Sequence, residues 1–370
     1  MTQVFVVNSG SSSIKWELVD VDSGENLRGG IVERIGENGT SHTDAMVTIL
    51  AELGDVSPVA IGHRVVHGGS VFRHATLVTD EVERQIGELS ALAPLHNPAN
   101  LAGIRAARAA FPGVPNVAVF DTAFHQTLAP QAYSYAIDVE VAAANGVRRY
   151  GFHGTSYQYV ARAAAELLGN PNAKLIIFHL GNGASVCAID AGHSVETSMG
   201  MTPLEGLVMG TRSGDIDPGV VFHLGRAGQS LEALDTLLNR RSGLLGLSGR
   251  GDMRDVQDAA KAGDSAAQAA LDVYHHRLRH YLGAYLVLLG GADAIVFTAG
   301  VGENSPLTRA ATVHGLEGFG IELDAQLNES RGAGGRIVSS ADSAVKVLVV
   351  PTNEELEIAQ QSVALLGTHR

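Results

Sequence analysis

Two distant stretches of the chain read as the same supersecondary unit, and this echo constrains the fold more than any other feature. VFVVNSGSSSIKWELVD at residues 4–20 and LIIFHLGNGASVCAID at residues 175–190 each run as an apolar strand, a turn of Gly, Ser and Asn, and a second strand closing on aspartate, Asp20 and Asp190. One copy in each half points to duplicated domains facing each other across a cleft, although two unrelated β-hairpins would give the same local pattern. Length favours duplication, because 370 residues exceed what one hydrophobic core usually serves.

Elsewhere strand-like and helix-like segments alternate. AIGHRVV, VAVF, AIVFTAG and VKVLVVP read as further strands, separated by Ala- and Leu-rich segments with helical spacing, so the expected class is α/β. One helix is expected from Asp80, with Glu83 as its capping-box partner; another should run from about Ser265 to Leu289, where Gly290 and Gly291 stop it. No linker rich in Pro or Ser marks a boundary, and the pattern places it near Asp121 and Thr122.

A formal charge of −13 argues against nucleic acid or an anionic membrane as a general partner. An anionic substrate must then be held by a few basic residues placed locally, so single arginines beside glycine turns are the informative ones. Apolar residues at 45%, charged residues at 18% and 44 glycines exclude a disordered chain and suit an enzyme with many tight turns. The single cysteine, Cys187 in VCAID, allows no intramolecular disulfide and reads as a small core residue in a reducing compartment. MTQVFVVNSG does not read as a signal peptide, and the longest apolar stretch, residues 281–292, is too short to span a bilayer. A cytoplasmic protein is expected.

The chemistry is carried by turns. Asn8, Ser9, Gly10, Ser11, Ser12 and Ser13 sit between two strands, where small residues let backbone N–H groups and hydroxyls approach an anion. The Walker and dinucleotide patterns are absent, so neither a P-loop nor a Rossmann site is expected. Three more glycine turns, HLGNG from His179, GTRSGD from Gly210 and GVGEN from Gly300, follow apolar strands or carry charge among glycines. Any one of them could be loop filler, but together with the duplicated hairpin they point to a phosphate cradle. The trio His275, His276 and His280 lacks an accompanying H-E-x-x-H motif and reads as a solvated helix face.

NSGSSSIK, GHRVVHGG, PLHNP, FDTAFHQT, RYGFHGTS, HLGNG, GTRSGDIDPG, FTAGVGEN and PTNEEL stand in this order from residue 8 to residue 356, and the chain resembles the acetate kinase family over nearly its whole length. The resemblance implies two duplicated actin-like (ribonuclease H-like) domains with an interdomain active site: residues 1–121 completed by the C-terminal helix 355–370, and residues 122–354 carrying most of the nucleotide site. It implies reversible transfer of the γ-phosphoryl group of ATP to acetate, giving acetyl phosphate and ADP, with Mg²⁺ or Mn²⁺, in a homodimer. By motif, Asn8 and Glu354 would serve the metal. Lys15, Ser11 and Ser13 would approach the nucleotide phosphates. His179, Leu180, Gly181, Asn182 and Gly183, with Gly300, Val301, Gly302, Glu303 and Asn304, would hold ATP, and Asp252, Met253 and Arg254 would contact adenine. Arg64 would bind the substrate carboxylate or its phosphate, Asp121 would orient Arg64 or act near the acid, and His153 with Arg212 would stabilise the transferring group. Val66, Leu95, His96, Phe152 and Pro203 would surround the small acid.

Elementary chemistry fits these roles. Acetate is already ionised at neutral pH and needs no general base; its difficulty is repulsion from the triphosphate, which guanidinium forks and a divalent cation relieve. Asp121 is therefore read as an orienting group. A propionate or butyrate kinase of the same family is the nearest rival, and a non-catalytic actin-like nucleotide switch a distant one, disfavoured by the presence of both Arg64 and Arg212. Two departures stand out. The stretch from Leu247 to Arg254 is about one residue short of the family pattern, and Tyr157 stands where many relatives carry histidine.

Overall fold

The two echoing hairpins begin two six-stranded sheets. A computed structural model describes residues 1–35, 40–54, 56–332 and 334–368. In the first sheet are β1 (Gln3–Ser9), β2 (Ser13–Asp20), β3 (Glu25–Glu33), β4 (Ala60–Val65), β5 (Thr76–Leu77) and β6 (Asn116–Phe120), ordered β3-β2-β1-β4-β6-β5. The second contains β7 (Lys174–Leu180), β8 (Ala184–Asp190), β9 (His193–Thr197), β10 (Ala294–Thr298), β11 (Arg336–Ile337) and β12 (Lys346–Val349), ordered β9-β8-β7-β10-β12-β11.

Strand for strand these are one topology. β1–β2 and β7–β8 are antiparallel, β1–β4–β6 and β7–β10–β12 are parallel, and the short outer strands β5 and β11 run antiparallel. Even the irregularity repeats: the register of the second strand shifts between Leu18 and Val19 in one sheet and between Ala188 and Ile189 in the other, just before the terminal aspartate in each case. Two unrelated hairpins would not share strand order, direction and bulge position. The expected duplicated α/β architecture is therefore present, in the actin-like pattern.

The chain divides into two compact units, Met1–Gln126 with Phe152–Tyr159 and Asn353–Arg370, and Thr127–Gly151 with Val160–Thr352. In the first unit, alternate residues of β1 feed two cores. Phe5 and Val7 pack with Met46 and Ile49 of the helix His42–Leu53, whereas Val4 and Val6 pack with Leu356, Ile358 and Ala359 of the helix Glu354–Thr368. Burial on both faces is why these strands read as unbroken apolar runs. The central strands of the second unit follow the same rule, with Ile176, Val186, Ile295 and Leu348 fully buried.

Helix Ser265–Leu289 has the expected ends: Asp264 accepts from the Ala266 and Ala267 N–H groups, and Gly290 terminates it in the left-handed region at φ 67°. Helix Asp80–Glu88 also starts as expected, but its cap is Thr79, which accepts from Val82 N. Glu83 makes no capping box; it pairs instead with Arg105 and Arg108. Cys187 is fully buried, as expected, beside Ser194 Oγ at 3.3 Å, and burial raises its thiol pKa. The helix Asn97–Ala110 passes so close to the first turn that a Cβ on Gly103 would lie 1.9 Å from Ser9 Oγ. Gly103→Ala should therefore cost about 1–3 kcal/mol through overpacking, read by urea denaturation; unchanged stability would contradict this close approach.

Candidate active site

In the first unit the polar groups collect at the carboxyl ends of β1, β4 and β6, where parallel α/β sheets open to ligands. Arg64 lies at the end of β4 and Asp121 directly follows β6, its parallel neighbour. Arg64 donates from Nη2 to Asp121 Oδ2 at 2.6 Å and from Nε to Oδ1 at 3.0 Å, a two-pronged grip, and its Nη1 stands 3.4 Å from Asn8 Oδ1. The expected pairing of Arg64 with Asp121 is thus direct. Lys15 lies opposite Asn8 in the β1–β2 register, on the same face of the sheet. Its ammonium contacts Glu355 and lies 3.1 Å from Glu17 Oε1.

Glu354 opens the C-terminal helix with Oε2 3.8 Å from Arg64 Nε. Burial raises its pKa to about 7, with Asp121 and Glu355 adding to the rise and Arg64 opposing it. Burial by itself would ease loss of the Arg64 proton, but Asp121 and Glu354 outweigh it and raise that pKa.

His153 adopts φ 58°, the left-handed region, and is followed by Gly154, whose N–H donates to Asp121 O at 2.9 Å. A Cβ on Gly154 would sit 2.2 Å from that oxygen, so glycine alone lets the FHG turn reach Asp121. Thr155 Oγ1 adds a contact at 3.5 Å to Asp121 Oδ1. Phe152 is buried edge-on to the His67 ring at 5.6 Å, Leu95 is 57% exposed, and His96 precedes the helix Asn97–Ala110. Ser11 and Ser12 form the exposed tip of the first turn, which Gly10 N closes onto Ser13 O at 2.7 Å.

Sequence reasoning missed Asn97 and Asn100. Asn97 bonds both backbone groups of His67; Asn100 accepts from Val66 N at 3.1 Å and donates to Ser9 O at 2.6 Å, tying the Arg64 strand end to the first turn. The available signal was a pair of asparagines in the first turn of a helix, on the face that meets the sheet.

In the second unit, a cavity of about 330 Å³ is lined by Gly181, Asn182, Asp252, Met253, Arg254, Gly300, Val301 and Asn304, all expected nucleotide residues. Gly210 of the GTRSGD turn and Gly251 of the 247–254 stretch also line it, and Leu244, Gln257, Tyr274 and Ser305, which sequence reasoning did not select, complete the lining. His179, Leu180, Gly183, Gly302 and Glu303 do not line it. His179 and Leu180 are buried in β7, and Glu303 accepts from Thr352 N at 3.3 Å. Asp252 caps the helix Met253–Lys261 and pairs with the exposed Arg254 at 2.7 Å, which holds its carboxyl at about 2.

Arg212 lies beside the second hairpin turn: a Cβ on Gly183 would be 3.5 Å from its Nη1. That nitrogen donates to Pro203 O at 3.0 Å and approaches Met209 Sδ at 3.5 Å. Among the described residues Arg212 has no carboxylate partner, and burial lowers its pKa. Its loop is fixed from outside, because Asp215 accepts from Gly206 N and Tyr281 OH, both at 2.8 Å. The histidine trio is only partly a solvated face: His276 and His280 are exposed, while His275 is half-buried 3.4 Å from Thr308 Oγ1.

The profile of the Acetokinase family matches residues 40–360. An acetate kinase of Leifsonia xyli subsp. xyli is 60% identical, with 98% of each chain covered. Among solved structures, Porphyromonas gingivalis acetate kinase superposes with a TM-score of 0.95 at 41% identity, over 99% of this chain and all of that one. A propionate kinase from Francisella tularensis gives 0.94 at 39% identity, over 98% of this chain and all of that one.

Proposed function

From the premise that this chain belongs to the Acetokinase family and moves the γ-phosphoryl group of ATP onto the carboxylate of acetate, we propose that its two placed arginines divide the work. Arg64, held by Asp121, binds the acid; Arg212 and His153 meet the charge of the phosphoryl group in transit. The observation that carries this reading is the contrast between the guanidiniums: Arg64 is already gripped by a carboxylate, whereas Arg212 is half-buried with none among the described residues and is ready for an anion. Because acetate arrives ionised, no residue needs to take a proton from it, and Asp121 serves as the orienting group. Gly181, Asn182, Gly300, Val301 and Asn304, with Asp252, Met253 and Arg254, hold the nucleotide. Lys15, Ser11 and Ser13 meet its phosphates.

The donor set fits a hard divalent cation. Asn8 Oδ1 and Glu354 Oε2 both approach the Arg64 guanidinium, at 3.4 and 3.8 Å, and the Glu354 carboxyl is held up near neutrality by burial and neighbouring carboxylates, an environment a cation would relieve. Among the described residues no cluster of three or more His, Cys, Asp or Glu could cage a metal, which suits an ion bound largely by nucleotide phosphates. Asn8 and Glu354 would hold Mg²⁺ or Mn²⁺, which would neutralise phosphate oxygens. Glu354 also sets an expected pH response. Its folded pKa of about 7 exceeds the ordinary 4.5, so between these values the folded chain holds a proton that the unfolded chain has lost. Stability of the metal-free chain should then fall as pH rises through that window, and Glu354→Gln should remove this part of the slope in a Tm-versus-pH series.

The direct test is kcat/KM for formate, acetate, propionate and butyrate, with the acyl phosphate trapped as hydroxamate. Acetate should lead. One methylene alters discrimination by only ~10- to 200-fold, and the similarity to a propionate kinase makes propionate the second reading. A clear preference for propionate would establish it instead. We further take the chain to act as a cytoplasmic homodimer, as the family resemblance implies, which sedimentation and cell fractionation would check. Among the described residues no helix is long and apolar enough to cross a membrane.

A further inference from the structure

A second cavity of the same unit, about 200 Å³, is bordered by Glu303, Asn304, Arg309, Glu329, Arg331 and Arg336. Three arginines border it, and among the described residues none is ion-paired with a carboxylate. Arg309, only 1% exposed, spends its donors on neutral oxygens. Nε reaches Asn328 Oδ1 at 2.7 Å, Nη2 reaches Asn328 O at 2.6 Å, and Nη1 reaches the carbonyls of Gly302 and Glu303 at 2.9 and 3.0 Å. Burial, and then the nearby charge of Arg336, push its pKa down to about 10. Arg336 is half-buried, and its Nε, sealed from solvent, has no acceptor among the described residues. Arg309 and Arg336 are withdrawn from water, and the one carboxylate that acts on Arg309, Glu329, does not offset the burial that lowers its pKa, so the cluster is short of negative charge.

We propose that this cavity binds a small multivalent oxyanion, inorganic phosphate or a tricarboxylate, through Arg331 and Arg336, and that the bound anion strengthens nucleotide binding through Arg309 and Asn304. Asn304 borders both this cavity and the larger one. An anion beside Arg336 cancels the charge that presses on Arg309, and Arg309 is the clasp that ties the Gly302 and Glu303 carbonyls to Asn328. The coupling is reciprocal, so ADP must in turn tighten the anion. Three cations stand against two carboxylates at the rim, so affinity is modest, with a Kd of roughly 1 mM. The coupling rests on the nucleotide role proposed for residues 300–304; the anion site itself does not.

The test uses the full chain carrying Arg212→Ala, so that phosphate loses its hold at the reacting centre, with calorimetric titration of phosphate and, separately, of tricarballylate. One saturable isotherm is expected for the preferred anion, weakened about tenfold or more by Arg336→Gln and by Arg331→Glu. Arg331 is exposed, so its variant keeps the test usable if Arg336→Gln misfolds. With the anion present, the ADP Kd should fall about two- to fivefold in the parent and not in the Arg336 variant. No isotherm at 10 mM anion, on the order of ten times the expected Kd, or one that both variants leave unchanged, overturns the site. Intact anion binding with an unmoved ADP Kd overturns the coupling. If Asn304→Ala also leaves ADP affinity unaltered, the failure belongs to the nucleotide assignment and not to the anion site.

Discussion

Arg212→Lys is expected to lower kcat by roughly 10³-fold or more while the protein stays folded, because a planar fork is lost where charge develops in the transferring group. The surroundings of Arg212 strengthen this expectation. Its position is set by Pro203 O and Met209 Sδ and by a loop tied down through Asp215, none of which can supply a second cationic prong. Burial already lowers the pKa of Arg212, and a lysine ammonium, with an ordinary value near 10.4, has less margin against the same desolvation. No carboxylate loses its partner in the substitution, so Tm should move by no more than about 2 °C. Single-turnover kinetics with ATP and acetate, beside a thermal scan, separate the possibilities. Near-normal turnover would remove Arg212 from the chemistry, and a large fall in Tm would make it a structural residue.

Asp121→Asn carries the second large effect. Asp121 is 1% exposed and grips Arg64 at two nitrogens, so the amide keeps one acceptor, turns an N–H₂ group toward the guanidinium and deletes the charge that fixes it. Glu354, 3.8 Å from Arg64 Nε, then becomes the strongest remaining pull. The expected result is a loss of about 10²- to 10³-fold in kcat/KM for acetate, with KM for the acid raised and stability lowered by about 2–3 kcal/mol. The shape of the pH–rate profile should persist, because an orienting carboxylate has no proton to lose in the reaction. Disappearance of an acidic limb in the variant would show that Asp121 takes a proton.

Central strands and capped helices were legible because burial leaves a local signature. KLIIFHL is buried along almost its whole length and forms β7 as read, and helix Ser265–Leu289 announces its ends with Asp264 and Gly290. Strand β3 was not foreseen because ENLRGGIVE is mostly exposed and holds its place by pairing with β2. The two-residue strands β5 and β11 carry too little sequence to give any pattern. The Asp80 helix shows how a local rule fails: Thr79 was equally able to cap, and Glu83 was drawn to arginines of another helix.

The sequence by itself determined the duplication, the α/β class, the family and the set of chemically capable residues. These depend on short-range periodicity and on motifs that survive as contiguous strings. Only the tertiary structure decided which charge answers which. Arg64 finds Asp121 because parallel pairing sets the ends of β4 and β6 side by side, whereas among the described residues Arg212, Arg309 and Arg336 make no ion pair with a carboxylate. Coulomb energy depends on distance and solvent exposure, and neither is encoded in the spacing between residues along the chain.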